Sequence, residues 1–231
     1  MSGVYTPITG AGFEIRPTQE TYEALTRAYD HFNWVLFGNE LPGCLITLQR
    51  KGRTYGYFCR DRFARQDGAT CDEIALNPAY FAQQGAREVC ATLVHEMVHL
   101  WQYHFGQSGR GRYHNRQWAE KMKSVGLYPS HTGQPGGRET GDQMMDYIIE
   151  DGPLARAYAE LEIGGFAIEW QDSRRDADEP PVGGTGTARP GKPVKGGKRV
   201  KYTCPVCGLN AWARHQASIM CGVDRADITP T

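Results

Sequence analysis

Residues 86–104 read AREVCATLVHEMVHLWQYH, and this stretch decides how the rest of the chain is read. Val89, Leu93, Met97, Leu100 and Trp101 recur at helical spacing, so the stretch is expected to be an amphipathic helix. Within it His95 and His99 lie four residues apart, one turn above the other, where both imidazoles can reach a single ion. Glu96 follows the first histidine and can stand beside a metal's water without ligating the metal. Zinc lowers the pKa of such a water to about 7, and a carboxylate can then take its proton. That chemistry suits hydrolysis of a peptide bond.

Outward from this helix, the chain divides by composition. A first helix is expected over residues 18–37, where Tyr22, Leu25, Tyr29, Phe32 and Leu36 share a face, Thr18 is placed to cap the start and Gly38 ends it. Three segments of strand character follow at 44–49, 54–59 and 71–76, separated by turn-forming or charged residues such as Lys51-Gly52 and Gln66-Asp67-Gly68. A third helix is expected over 115–125, a long Gly/Pro-rich loop over 131–141, a helical segment over 153–161 and a strand over 166–170. Residues 176–199 are rich in Gly, Pro and charge with almost nothing to bury, which predicts a flexible linker. The reading therefore gives a main domain over 1–175, a basic linker over 176–199 and a small cysteine module over 200–231.

The 231 residues carry 40% hydrophobic and 23% charged residues, an ordinary soluble composition with room for one sizeable core. Formal net charge is zero, so affinity for nucleic acid would have to come from local patches. The first residues, MSGVYTPITGAGFEIRP, do not read as a secretory signal, and no stretch approaches a membrane span. Seven cysteines, an odd number, argue for reduced thiols and metal ligation, and a cytoplasmic location is expected.

The third ligand has several candidates. A histidine six residues after His99 is missing, because Phe105 stands there; His104 is rotated off the metal-facing side of the helix. Glu120 and His114, both on or at the start of the following helix, remain. Here the chain resembles the SprT-like family, which includes the DNA-repair protease Spartan. The resemblance rests on His95-Glu96-Met97-Val98-His99-Leu100-Trp101-Gln102, then Tyr113-His114-Asn115-Arg116-Gln117-Trp118, with Gly126-Leu127 beyond, and spans roughly residues 18–170. It implies a zincin-like α+β fold, with helices on a small, mainly antiparallel three-stranded sheet. It also implies His95, His99 and His114 as zinc ligands with Glu96 as the catalytic residue, and a strand beside the active-site helix along which a peptide could pair. Asp72 to Leu76 is the expected strand for that. Trp101, Tyr103 and Trp118 could line the cleft, but aromatic residues at these spacings are more often core, and they are assigned no role.

Tyr202-Thr203-Cys204-Pro205-Val206-Cys207-Gly208 begins like a zinc ribbon, with Cys221-Gly222 opening a second knuckle. Asp224 occupies the place of the expected fourth cysteine. Three readings stand open: Asp224 ligates through oxygen, His215 takes its place, or the site is decayed; the ligand set Cys204, Cys207, Cys221 and Asp224 leads. SprT-like proteins often carry such a ribbon, with a tryptophan like Trp212 between the knuckles.

From Val182 to Val223 the basic residues Arg189, Lys192, Lys195, Lys198, Arg199, Lys201 and Arg214 meet no acidic one, which suits binding of a phosphate backbone. A second basic group, Arg50, Lys51, Arg53, Arg60, Arg62 and Arg65, could extend that surface. The leading expectation is a zinc endopeptidase associated with DNA, cleaving proteins bound or crosslinked there and so nucleoid-associated. The rivals are a non-catalytic nucleic-acid-binding or regulatory protein using zinc structurally, and a zinc hydrolase of small substrates.

Overall fold

The computed structural model describes residues 9–10, 13–52, 54–173, 200–213 and 217–230. Contacts divide the chain into two compact units, residues 1–187 and 188–231. The expected linker over 176–199, together with Arg53, Arg214 and His215, lies outside the described residues.

The larger unit begins with a short ladder of β1 (Thr9–Gly10) and β2 (Phe13–Glu14). Helix α1 (Pro17–Phe37) follows, and Pro17 rather than Thr18 opens it, since its fixed φ suits the first helical position. Gly38, left-handed at φ +64°, ends α1 and donates its N–H to Asn33 O. Strands β3 (Leu45–Leu48), β4 (Gly56–Ala64) and β5 (Thr70–Leu76) form one sheet in the order β3-β5-β4. The β4–β5 pair is antiparallel, with a bulge between Cys59 and Phe63, but β3 and β5 run parallel. This corrects the expected mainly antiparallel sheet: β5 inserts between its two predecessors, and a strand antiparallel to β4 then runs the same way as β3.

After a 3-10 turn at Pro78–Tyr80 comes α2 (Phe81–Phe105), interrupted at Gly85, whose φ of +75° lies outside the helical range. Unbroken helix therefore starts at residue 86, as the apolar pattern indicates. Helix α3 (Arg116–Val125) is capped by Asn115, whose side chain accepts the Trp118 N–H at 3.0 Å. Strands β6 (Leu127–Ser130) and β7 (Met145–Ile148) pair as an antiparallel hairpin across the 131–144 loop, and α4 (Pro153–Ile163) follows. The strand expected over 166–170 does not form; that backbone is irregular, with Phe166 buried edge-on against Tyr158. The described part of the chain is thus a mixed α/β structure with four helices and small sheets. Its core joins Leu25 and Phe32 of α1, Ile74 and Leu76 of β5, and Leu93, Met97 and Leu100 of α2. Trp118 and Met122 of α3 and Leu154 of α4 complete it. Among the described residues no helix is long and apolar enough to cross a membrane.

In the smaller unit β8 (Val200–Thr203) pairs antiparallel with β9 (Asn210–Ala213) on one side and β10 (Thr229–Pro230) on the other. Among the described residues its buried cluster is Tyr202, Cys204, Cys221 and Ile228, two of them thiols, with Ala213, Ala217, Ile219 and Ala226 packed against it.

Candidate functional site

Helix α2 packs on β4 and β5, which places His95 and Glu96 in the interior, 8% and 6% exposed. The close approach depends on Gly56 of β4. A Cβ there would stand 2.9 Å from Ala75 O and 3.3 Å from Glu96 Cγ. His99 follows one turn on. His114 arrives from the loop before α3, and its position is fixed twice over. Asn115 caps α3 and accepts from Gln102 of α2 at 2.8 Å, while His114 forms a backbone bridge with Gly141, at 2.9 and 3.1 Å.

The three imidazoles converge. Ring centroids are 5.2 Å apart for His95–His99, 5.8 Å for His95–His114 and 4.8 Å for His99–His114. One nitrogen from each ring lies within 4.8 Å of the other two, and the Nε2 atoms of His99 and His114 are 3.1 Å apart. Two nitrogens on one tetrahedral zinc, at about 2.0–2.1 Å from it, would be separated by roughly 3.3 Å. The His114 Nδ1 faces Gly141 O at 3.0 Å, and the His95 Nδ1 faces Asp146 Oδ2 at 2.7 Å. With protons on those Nδ1 atoms, the Nε2 lone pairs of both rings are left for a metal. The donor set therefore fits a zinc ion.

Electrostatics follow from burial. Desolvation pushes the Glu96 carboxyl up to about 7; His95 pulls it back, Asp146 adds to the rise, and a backbone hydrogen bond from Phe58 opposes it. Desolvation holds His99 well below the usual imidazole range and His114 down to about 4, with the His95 charge acting the same way on both. Neutral imidazoles are the form that binds metal. For His95 desolvation also lowers, but the Asp146 hydrogen bond and the charges of Glu96 and Asp146 outweigh it, and the net direction is up.

The remaining sequence candidates lie elsewhere. Glu120 is exposed and pairs with Arg116 at 2.8 Å, and His104 turns to Asp72 at 2.7 Å. Two residues to which the sequence reading gives no role contact the cluster. Trp118, weighed as cleft lining or core, is fully buried and lies against all three rings, with centroids 5.2, 5.6 and 4.3 Å from His95, His99 and His114. Asp146 reaches His95 from 51 residues away, a separation that no spacing rule reveals.

The smaller unit brings Cys204, Cys207, Cys221 and Asp224 together, with ligand atoms within 4.8 Å of one another. Cys207 Sγ and Cys221 Sγ are 3.7 Å apart, and Asp224 Oδ2 lies 3.4 Å from both Cys204 Sγ and Cys221 Sγ. Tetrahedral zinc would set sulfurs about 3.8 Å and sulfur and oxygen about 3.5 Å apart, so this set fits as well. The two knuckles have matching backbones. Gly208 N–H donates to Cys204 O as Arg225 N–H does to Cys221 O, at 3.0 and 2.9 Å. Cys204 N–H donates to Leu209 O as Cys221 N–H does to Ala226 O, both at 2.8 Å. Gly208 and Arg225 both have positive φ, +74° and +52°. Asp224 thus stands where Cys207 stands in the first knuckle.

Comparison with known proteins agrees with this geometry. The family model of the SprT-like family matches residues 25–134, which include the three histidines, Glu96 and Trp118. The chain is 64% identical over 59 residues to an uncharacterized protein in the mucB 3' region of Salmonella typhimurium, a match covering 25% of this chain and 80% of that protein. No solved structure matches. With the motif, the converging imidazoles and the family match in place, the chain belongs to the SprT-like family.

Proposed function

We propose that this chain is a zinc-dependent endopeptidase with a zincin-like active site, acting on proteins held on DNA. The observation that carries the proposal is the convergence of three imidazoles beside one buried carboxylate. A zinc ion held by His95, His99 and His114 would supply a Lewis acid and an acidified water. Glu96, held at one edge by the Phe58 backbone, is the group placed to accept a proton and return it to a leaving amine. Family membership is consistent with a metallopeptidase.

Substrate binding needs a free strand edge, and β5 cannot provide it, because it is the central strand of its sheet. Instead β4 lies at the sheet edge, packs on α2 and directs the Phe58 N–H toward Glu96. An extended peptide pairing along β4 would place main-chain carbonyls beside the carboxylate with little sequence preference.

In this reading residues 1–175 are the protease domain, 176–199 a basic tether and 200–231 a ribbon with its own structural zinc on Cys204, Cys207, Cys221 and Asp224. The ribbon and tether would hold the chain on nucleic acid. Lys201 and Trp212 are cross-strand neighbours on β8 and β9, with Trp212 61% exposed, a pairing of cation and stacking surface that suits such contact. The other basic group supports it less. Arg50 pairs with Asp172 at 2.5 Å and Arg65 with Asp67 at 3.5 Å, and Arg62 lies 3.8 Å from Glu73.

The test is cleavage of a DNA-binding protein, with and without DNA, by the wild type and by Glu96→Gln. Cleavage by wild type alone, stimulated by DNA, is expected. Equal cleavage by both chains sinks the mechanism; indifference to DNA removes the DNA half.

A further inference from the structure

Asp146 sits on β7, 3% exposed, with Oδ2 2.7 Å from His95 Nδ1 and with Oδ1 buried and unpartnered among the described residues. A carboxylate so placed is expensive, because buried charges are normally paired with a cation or a metal. One imidazole N–H does not balance it. The neighbouring side chains make the imbalance worse: Glu96 and Glu88 both feel its negative charge. Arg87, the one cation acting on Glu88, pairs with Glu150 at 2.9 Å. Behind the Nδ1 of His95 there is thus a buried carboxylate, one of whose oxygens has no partner among the described residues.

A divalent cation on the opposite side of the ring would resolve this, with the imidazole conducting the interaction. Carboxylates in that position fix the histidine tautomer, orient the ring and raise the basicity of the ligating nitrogen. The same hairpin performs the neutral version of the task for His114, whose Nδ1 faces Gly141 O at 3.0 Å. Both contacts come from residues 127–148, where Pro129 pairs with Asp146 in the β6–β7 ladder. The loop is braced by His131 N–H to Arg138 O at 2.9 Å and Arg138 N–H to His131 Nδ1 at 2.8 Å.

We propose that Asp146 is the positioning residue of the metal centre, its buried charge aiming His95 at the ion and counterbalancing it from behind the ring. This rests on the zinc reading given above.

The experiment uses the full chain carrying Cys204→Ser and Cys207→Ser in every arm, so that the second cluster does not contribute to the metal count. Zinc affinity is measured by competition with a chromophoric chelator, and thermal stability is measured without metal. Asp146→Asn keeps the shape and an acceptor for the Nδ1 proton but removes the charge. It should weaken zinc binding by about 10- to 100-fold, while melting of the metal-free chain stays the same or rises. Asp146→Glu should recover part of the affinity. A purely structural aspartate would give the reverse: a metal-free chain that melts lower, with zinc affinity within about twofold of the parent. That result overturns the proposal and leaves the zinc reading standing. A parent chain that takes up no zinc at the histidines overturns the zinc reading, and this inference with it.

Discussion

The two ligand clusters are built in opposite ways. The histidines sit on a scaffold that stands without them. Helices α2 and α3 are joined through Met97, Leu100, Trp118 and Met122, all fully buried, and the imidazoles lie on top of that packing. In the smaller unit the ligands are part of the packing: among the described residues Cys204 and Cys221 are two of the four buried members of its cluster. A preorganised site can lose its metal and remain folded. A module this small has too little apolar area to offset its conformational entropy, so its metal is part of its folding free energy. The same element would be a reagent in one place and a structural member in the other.

That contrast can be broken at several points. The largest expected effect is on turnover. Glu96→Gln should lower peptidase activity by about 100- to 10,000-fold with little change in melting temperature, and steady-state cleavage with a parallel thermal melt checks both. Next, a strong chelator should abolish amide hydrogen-exchange protection in residues 200–230 while protection in α2 and β5 persists; protection lost in both regions together would erase the distinction. Trp118→Ala should cost about 3–5 kcal/mol of stability, read by denaturant unfolding. It should also lower zinc uptake, because the indole backs all three rings. The smallest effect is at the cap: Asn115→Ala should cost about 1 kcal/mol and loosen His114, seen as a modest fall in zinc affinity. On the other side, Asp224→Cys should bind zinc more tightly in the smaller unit, since it completes two matched knuckles.

How much of this is legible without coordinates depends on range. The α2 pattern and the His95–His99 spacing are local, and both the helix and its start at residue 86 follow from them. His114 needs a family resemblance to prefer it over Glu120, because spacing alone leaves both open. The parallel pairing of β3 and β5 is invisible locally, since strand order is decided by which edge a later strand joins. The β6–β7 hairpin escapes notice because its strands are four residues long and one contains Pro129. With the hairpin unseen, Asp146 has no reason to be noticed. Phe166 to Trp170 misleads in the other direction: its alternation is that of a strand, but Phe166 is drawn into the core beside Tyr158 and, among the described residues, no strand pairs with it.

Zinc per chain, measured on the full-length protein and on His114→Ala, is the decisive quantity. Two clusters predict two equivalents in the parent, falling to one when the third imidazole is removed. Uptake unchanged by the loss of His114 would mean that these three rings do not share an ion, and the hydrolytic reading would fall.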